Sequence, residues 1–403
     1  MNFNLDAEIE RTGTDSIKWE YVIKDGQAVY TDRASKKYGS ERLLPLWVAD
    51  MDFRCPPAVI DALAARVQHG IFGYTRPTDS YYKAVTGWFK RRYDWDVKQE
   101  WITLAPGIVP AIHMMVQSFM EPGDKVLIQP PVYYPFPNAI NNNGNEVVTN
   151  SLVYKNGRYQ MDFDDLEAKT ADPALKMVIL CSPHNPVSRV WTQEELIRFG
   201  EICIKNNGIV VSDEIHCDLT FDGVTFTPFA KISEEFAQNS IICTAPSKTF
   251  NLAGLKTSNV IIPNAEWKEK FEAAMWKNGI YGGNSFGAVA TEAAYNHGEE
   301  WLTAVMEYVT ANHQFMVDYF AEHLPQVTVI PPEGSYLIWC DFRELGLSSE
   351  ARKELIMENA LVYLDEGELF GPEGAGFERF NLACPRSILA KALERIVTVI
   401  KAI

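Results

Sequence analysis

The sequence predicts an α/β protein: a large domain with a mainly parallel sheet flanked by helices, accompanied by a smaller α+β domain. Three observations carry this. Between residues 51 and 285, short apolar runs alternate with amphipathic segments, which is how buried strands and their covering helices read in a parallel sheet. Beyond 285 the order changes to one long helix, several short strands and a closing helix, the grouping of an α+β unit. The chain, at 403 residues, is long enough for both. The expected boundaries are 51–285 for the large domain, and 1–50 with 286–403 for the smaller one.

The elements follow in order. "LAPGIVPAIHMMVQSFMEPGD" (104–124) opens as a loop and continues as an apolar-faced helix. Lys125–Gln129 is an apolar run and precedes "PPVYYPF". Met177–Cys181 is the next strand. After the loop 182–191, Thr192 and Glu195 have capping-box spacing. Leu196, Phe199, Ile202 and Cys203 then form a helical stripe, and Gly208 supplies a stop. Ile209–Val211 and Ile241–Cys243 are two further strands. The sequence then predicts one helix over 286–324, strands over 327–330, 335–341, 360–363 and 380–383, and a last helix in "SILAKALERIVTVIKAI". No solenoid-length repeat interrupts this pattern.

Composition removes several classes of function. Hydrophobic residues make up 47% and charged residues 22%, an ordinary globular balance. The net charge of −16 provides no basic field, so neither nucleic acid nor an anionic membrane is an expected partner. The N-terminus lacks the basic-then-apolar layout of a signal peptide, and no apolar run has the length of a membrane span. Seven scattered cysteines without a CxxC pair read as reduced and buried, which places the expected location in the cytoplasm. Asp213, Glu214, His216 and Cys217 are close in sequence, but no metal-ligand spacing is present and no metal is expected. "GPEGAGF" lacks the strand–turn–helix setting of a dinucleotide site.

Ligands of open parallel sheets bind beyond the carboxyl ends of the strands. The residues at those ends are Tyr133 or Tyr134, Asn185, Asp213 with His216, and Lys248, with the helix start Gly107-Ile108-Val109 at the same rim. Taken singly, each has an ordinary role: a packing tyrosine, a turn asparagine, a capping aspartate, a core histidine, a surface lysine. Together they supply an amine, a carboxylate, a hydrogen-bond donor, an aromatic plane and a phosphate nest. Pyridoxal 5′-phosphate needs that set: a lysine for its aldehyde and a carboxylate for its ring nitrogen.

"APSKTFNLAGL", "SPHNP", "VSDEIH" and "QPPVYYPF" resemble the fold-type I, aspartate aminotransferase-like superfamily of pyridoxal phosphate enzymes, in the expected order along nearly the whole chain. "LPLWVADMDF" and "RFNLACPR" are similar to one branch, the cystathionine β-lyase or carbon–sulfur lyase group. The resemblance implies that Lys248 carries the cofactor and shuttles the substrate's α-proton, a task suited to a desolvated amine of lowered pKa. It implies that Asp213 pairs with the ring nitrogen, Asn185 bonds the ring oxygen, and Tyr133 stacks on the ring face. His216 stands where many aminotransferases have a tyrosine.

For the phosphate, the resemblance implies the amides of Gly107, Ile108 and Val109, the Ser247 hydroxyl and the Lys256 ammonium. Lys256 replaces a commoner arginine and so loses the bidentate fork. Tyr74 resembles a tyrosine that reaches the neighbouring subunit's phosphate, which implies a homodimer with shared sites. Arg386 is implied to bind the substrate carboxylate, with Trp47 and Tyr336 either walling the substrate or simply packing in a core. Relatives commonly have glycine where this chain has Ser188, which hints at a different local backbone.

The activity so implied is β-elimination from L-cystathionine or a related cysteine conjugate, giving a thiol such as homocysteine, pyruvate and ammonia. An aminotransferase would use the same catalytic residues. A non-catalytic regulator of the same fold is disfavoured, because it has no reason to keep a buried ionisable set.

Overall fold

Seven strands build the main sheet: β1 (Ile102–Ala105), β2 (Lys125–Ile128), β3 (Glu146–Thr149), β4 (Leu175–Cys181), β5 (Ile209–Asp213), β6 (Ser240–Thr244) and β7 (Ser258–Ile261). Their spatial order is β1-β7-β6-β5-β4-β2-β3. Every neighbouring pair is parallel except the two made by β7, which runs antiparallel to both β6 and β1. The central strands are almost wholly apolar and buried, as strands covered on both faces must be. The computed structural model describes residues 3–24, 27–30 and 43–403, so residues 1–2, 25–26 and 31–42 of the N-terminal segment assigned to the smaller domain lie outside the described residues.

Helices α1 (Ile108–Phe119) and α2 (Gln193–Lys205) join consecutive parts of this sheet. The α1 side chains of Ile108, Ala111, Ile112, Met114, Met115 and Val116 enter the core shared with β2, β4 and β6. Helix α2 starts at the capping box the sequence predicts. Glu195 N–H donates to Thr192 Oγ1 at 3.2 Å, and Thr192 N–H donates to Glu195 Oε2 at 2.8 Å. Such a cap stabilises a helix start by about 1 kcal/mol.

One helix predicted over 286–324 is two helices, α4 (Ser285–His297) and α5 (Glu299–His323), following the single-turn α3 (Pro246–Thr249). They meet at Gly298, where a Cβ would lie 2.5 Å from the Phe250 ring and 2.6 Å from the Ala294 carbonyl. The break therefore reflects a close approach between chain segments, which an apolar periodicity does not record.

Contacts divide the chain into two units. The larger comprises Cys55–Thr303 with Glu333–Ser335, and the smaller Met1–Arg54, Ala304–Pro332 and Tyr336–Ile403. Helix α4 thus packs with the larger unit, where the sequence boundary at 285 had placed it in the smaller. Within the smaller unit, β8 (Thr328–Val329), β9 (Leu337–Asp341), β10 (Asp365–Glu366) and β11 (Phe377–Asn381) form an antiparallel sheet in the order β8-β9-β11-β10. The last helix, α6 (Arg386–Ile400), buries Ile388, Leu389, Ala392, Leu393, Ile396, Val397 and Ile400 on one face, as its 3.6-residue period requires. All seven cysteines are free thiols. Among the described residues, no helix is long and apolar enough to cross a membrane.

Candidate active site

The sheet topology decides which loops share a rim. Strands β1, β2, β4, β5 and β6 are mutually parallel, so their carboxyl ends point the same way. Gly107, Tyr133, Asn185, Asp213 and Lys248 each lie at or just beyond one of those ends. Reversed β7 contributes its start instead: Ser258 pairs with Ala105 and Asn259 with Thr244, which brings the preceding Lys256 to the same rim.

Asp213 closes β5, in register with Cys181 on one side and Cys243 on the other. It is 4% exposed, and its Oδ1 accepts the Ile215 N–H at 3.2 Å. Burial pushes its carboxyl up to about 7, against the opposing pull of the Ile215 amide and the Lys248 charge. Lys248 is half-buried on α3, one strand over, and close enough for its charge to act on that carboxyl.

Asn185 is buried, and its N–H donates to Cys181 Sγ at 3.4 Å. His216, also buried, meets the Ser335 hydroxyl through Nδ1 at 3.1 Å. Tyr133 packs against the main core and against Phe136 and Tyr134, with ring centroids 5.7 and 5.4 Å away. Ser188 holds φ at +58°, the left-handed conformation a glycine favours. Serine thus holds here a conformation that glycine reaches more readily. Its carbonyl accepts the Glu333 and Gly334 N–H groups at 2.8 and 3.0 Å, which hold the loop in place.

At the start of α1, Gly107 has φ +138°, a value that needs glycine, and no side chain caps this helix end. The amides of Gly107, Ile108 and Val109 precede the first intrahelical bond, in which the Ala111 N–H donates to the Gly107 carbonyl at 3.1 Å. Ser247 is half-buried, Lys256 is exposed, and the Tyr74 side chain is wholly exposed.

Three predicted site residues belong to the smaller unit. Arg386 opens α6; its Nε donates to Asn312 Oδ1 at 2.6 Å, and its guanidinium lies 4.7 Å from the centre of the Phe315 ring. Trp47 is 3% exposed, stacks on Tyr363 at 4.6 Å and donates from Nε1 to the Lys18 carbonyl. Tyr336 is equally buried, and its hydroxyl donates to the Ala49 carbonyl at 2.9 Å. These contacts give both rings a packing role. Among the described residues, no group of three or more His, Cys, Asp or Glu side chains is placed to hold a metal ion.

The donor set along the rim matches the chemistry of pyridoxal phosphate. A buried carboxyl that desolvation holds toward neutrality would be matched by a protonated ring nitrogen. An amine stands within electrostatic reach of that carboxyl, and a glycine-started helix of twelve residues offers its amides to an anion.

The fold is that of fold-type I pyridoxal phosphate enzymes, and comparison with known proteins identifies the family. The model of the family described as aminotransferase class I and II matches residues 41–396, and the chain belongs to that family. Cystathionine beta-lyase PatB of Bacillus subtilis is 44% identical, over 98% of this chain and 98% of its own. Cystalysin from Treponema denticola, whose crystal structure contains a pyridoxal 5′-phosphate cofactor, matches with TM-score 0.94 and 37% identity over 100% of both chains. The PLP-bound C-S lyase from Staphylococcus hominis matches with TM-score 0.89 and 33% identity, over 99% of this chain and 98% of its own.

Proposed function

We propose that this protein is a pyridoxal 5′-phosphate-dependent carbon–sulfur β-lyase acting on L-cystathionine or related L-cysteine conjugates. The observation that carries the reading is that buried Asp213 and the Lys248 amine lie within electrostatic reach of each other at the ends of neighbouring parallel strands. Similarity to proteins named as cystathionine β-lyase and C-S lyase, along nearly the whole chain, supports the choice of chemistry.

When bound, the cofactor supplies an aldehyde for attachment to lysine and a ring that takes up the electrons of the broken Cα–H bond. The chain's own residues do the rest. Lys248 Nζ takes the α-proton of the substrate. Asp213 would hold negative charge toward the ring nitrogen, Asn185 and His216 would line the ring's edge with Asn185 donating to the ring oxygen, and Tyr133 would cover the ring. The amides at 107–109, the Ser247 hydroxyl and the Lys256 ammonium would hold the phosphate. Arg386 binds the substrate carboxylate, its guanidinium orientation set by Asn312 and Phe315. Overall, one water is consumed, the Cβ–S bond breaks, the thiol leaves with a proton, and the remaining carbons become pyruvate with release of ammonia. With cystathionine the thiol is homocysteine, the precursor side of methionine synthesis.

The working unit is a homodimer in the cytoplasm. Tyr74 supports this, because its side chain is wholly exposed in one chain although its motif suits a phosphate contact. It follows the exposed apolar pair Ile71 and Phe72, and Phe72 rests 5.4 Å from Phe286. Exposed apolar surface of this kind marks an interface.

The test begins with the purified protein and its visible absorbance, followed by L-cystathionine with assays for pyruvate, ammonia and free thiol. Thiol and pyruvate released without a keto-acid acceptor support the lyase. Amino-group transfer that requires an added keto acid, with no thiol released, replaces it with a transaminase.

A further inference from the structure

We infer that Asp218 is a positioning residue for the Lys248 amine and acts through Thr249; the inference rests on the catalytic reading of Lys248 given above. Helix α3 has only four residues, and no side chain caps its start. A single turn cannot hold itself in water, so the placement of Lys248 depends on what grips its neighbours. Thr249, fully buried, donates its hydroxyl to Asp218 Oδ2 at 2.7 Å. Phe250, fully buried as well, sits among the rings of Trp88, Tyr295 and Trp301 at 5.5, 6.0 and 6.2 Å.

Asp218 is itself held in place. Its Oδ1 accepts the Trp88 indole N–H at 3.0 Å and the Tyr93 hydroxyl, with Arg92 Nε 4.0 Å away. A carboxyl facing three hydrogen-bond donors and a guanidinium serves as an ionised acceptor, although burial pushes its pKa up. The side chain is 3% exposed. Asp218 also follows Asp213 by five residues on one short turn. That turn is tied at Leu219, whose N–H donates to the His216 carbonyl at 3.0 Å and whose carbonyl accepts the Ser335 N–H at 2.6 Å. One segment therefore carries the carboxylate for the ring nitrogen at its start and the anchor for the lysine's helix at its end. The separation between acid and amine is fixed by this chain of bonds rather than by helix propensity. A reacting group moved by about 1 Å loses roughly a hundredfold in rate, which gives the anchor a functional consequence.

The test uses the cofactor-loaded enzyme and the variants Thr249→Val, Thr249→Ser and Asp218→Asn. Thr249→Val keeps the shape and removes the hydroxyl. It is expected to lower kcat by about tenfold or more with KM nearly unchanged, and to shift the pH midpoint of the visible cofactor band by about half a unit or more. Thr249→Ser restores the donor and is expected to return both readouts to within about threefold of wild type and close to the wild-type midpoint. Asp218→Asn should move the midpoint in the same direction as Thr249→Val. If Asp218→Asn does not fold, the two Thr249 variants decide alone. An unshifted midpoint and kcat in Thr249→Val, measured on folded protein, overturns the inference. Failure of the underlying reading looks different: the wild type shows no visible band, or Lys248→Ala retains it.

Discussion

Lys18 and Lys248 are both withdrawn from water, the first wholly and the second in part, and their surroundings differ in kind. Lys18, in the smaller unit, is fully buried, and its ammonium donates to Asp52 Oδ2 at 2.7 Å and to the Asp50 carbonyl at 3.1 Å. Asp52 in turn accepts from Arg11 and from the Trp19 indole, both at 2.8 Å. That carboxylate is satisfied by fixed protein donors. Lys248 is half-buried on a single helical turn, and the carboxyl its charge reaches, Asp213, sits near 7 because burial outweighs the pull of the Ile215 amide and the Lys248 charge. Burial alone does not identify a reactive lysine. A buried acid whose pKa is raised, beside an amine on a weakly self-sustaining element, marks a candidate.

Substitution separates the two sites most sharply. Lys248→Ala is expected to remove the visible cofactor band and to lower thiol release from L-cystathionine by about a thousandfold or more, while the urea midpoint of the apoprotein changes little. Lys18→Met should do the reverse. It leaves the Asp52 site short of a cation and is expected to cost about 3 kcal/mol in urea unfolding, with kcat of the folded fraction unchanged. Equal losses of activity and stability in both variants would erase the distinction.

The next contrast is one of pH. Asp213 is raised from 3.8 to about 7 in the folded apoprotein. The folded state therefore holds a proton that the unfolded state has released, and this group's contribution to stability falls as pH rises from about 4 to 7. Glu214, buried beside it and pushed up to about 8, contributes in the same direction. Asp213→Asn removes the first contribution. Relative to wild type, the apoprotein variant should gain about 2 to 4 kcal/mol between pH 4 and pH 8, read from urea melts across that range. A difference that does not vary with pH counts against the buried, uncompensated acid.

Arg386→Lys sharpens the comparison from the smaller unit. Loss of the planar fork held by Asn312 and Phe315 should raise KM for L-cystathionine by roughly ten- to a hundredfold with a smaller change in kcat. The smallest effect belongs to Trp47→Phe. Trp47 donates to a backbone carbonyl and stacks on Tyr363, so the expected result is about 1 kcal/mol of lost stability and an unchanged KM. A raised KM would return Trp47 to the substrate wall.

Particular residues show where the sequence was sufficient. Capping at Thr192 and Glu195, the strand at Met177–Cys181 and the apolar face of α1 are local patterns, and each folds as its periodicity states. The rim followed as well, because parallel strands all end on one side and the motif residues stand at those ends. Ser188 was the instructive exception. Its left-handed backbone is held by two amides from residues 333 and 334, far along the chain, which its residue type does not show.

Asp218 and Thr249 carried no readable signal. An aspartate in a turn and a threonine after a lysine are common, and only the fold brings one to the other across thirty-one positions. The division near 303 and the break at Gly298 have the same origin in contacts between distant segments. Sequence by itself determined which side chains are available and on which edge of the sheet they emerge, since both depend on periods of two and 3.6 residues along the chain. Tertiary structure alone decided which acid is desolvated enough to be pushed toward neutrality, which carboxylate holds Lys18 and which polar group steadies the lysine's turn, because electrostatic energies depend on distances that no local pattern encodes.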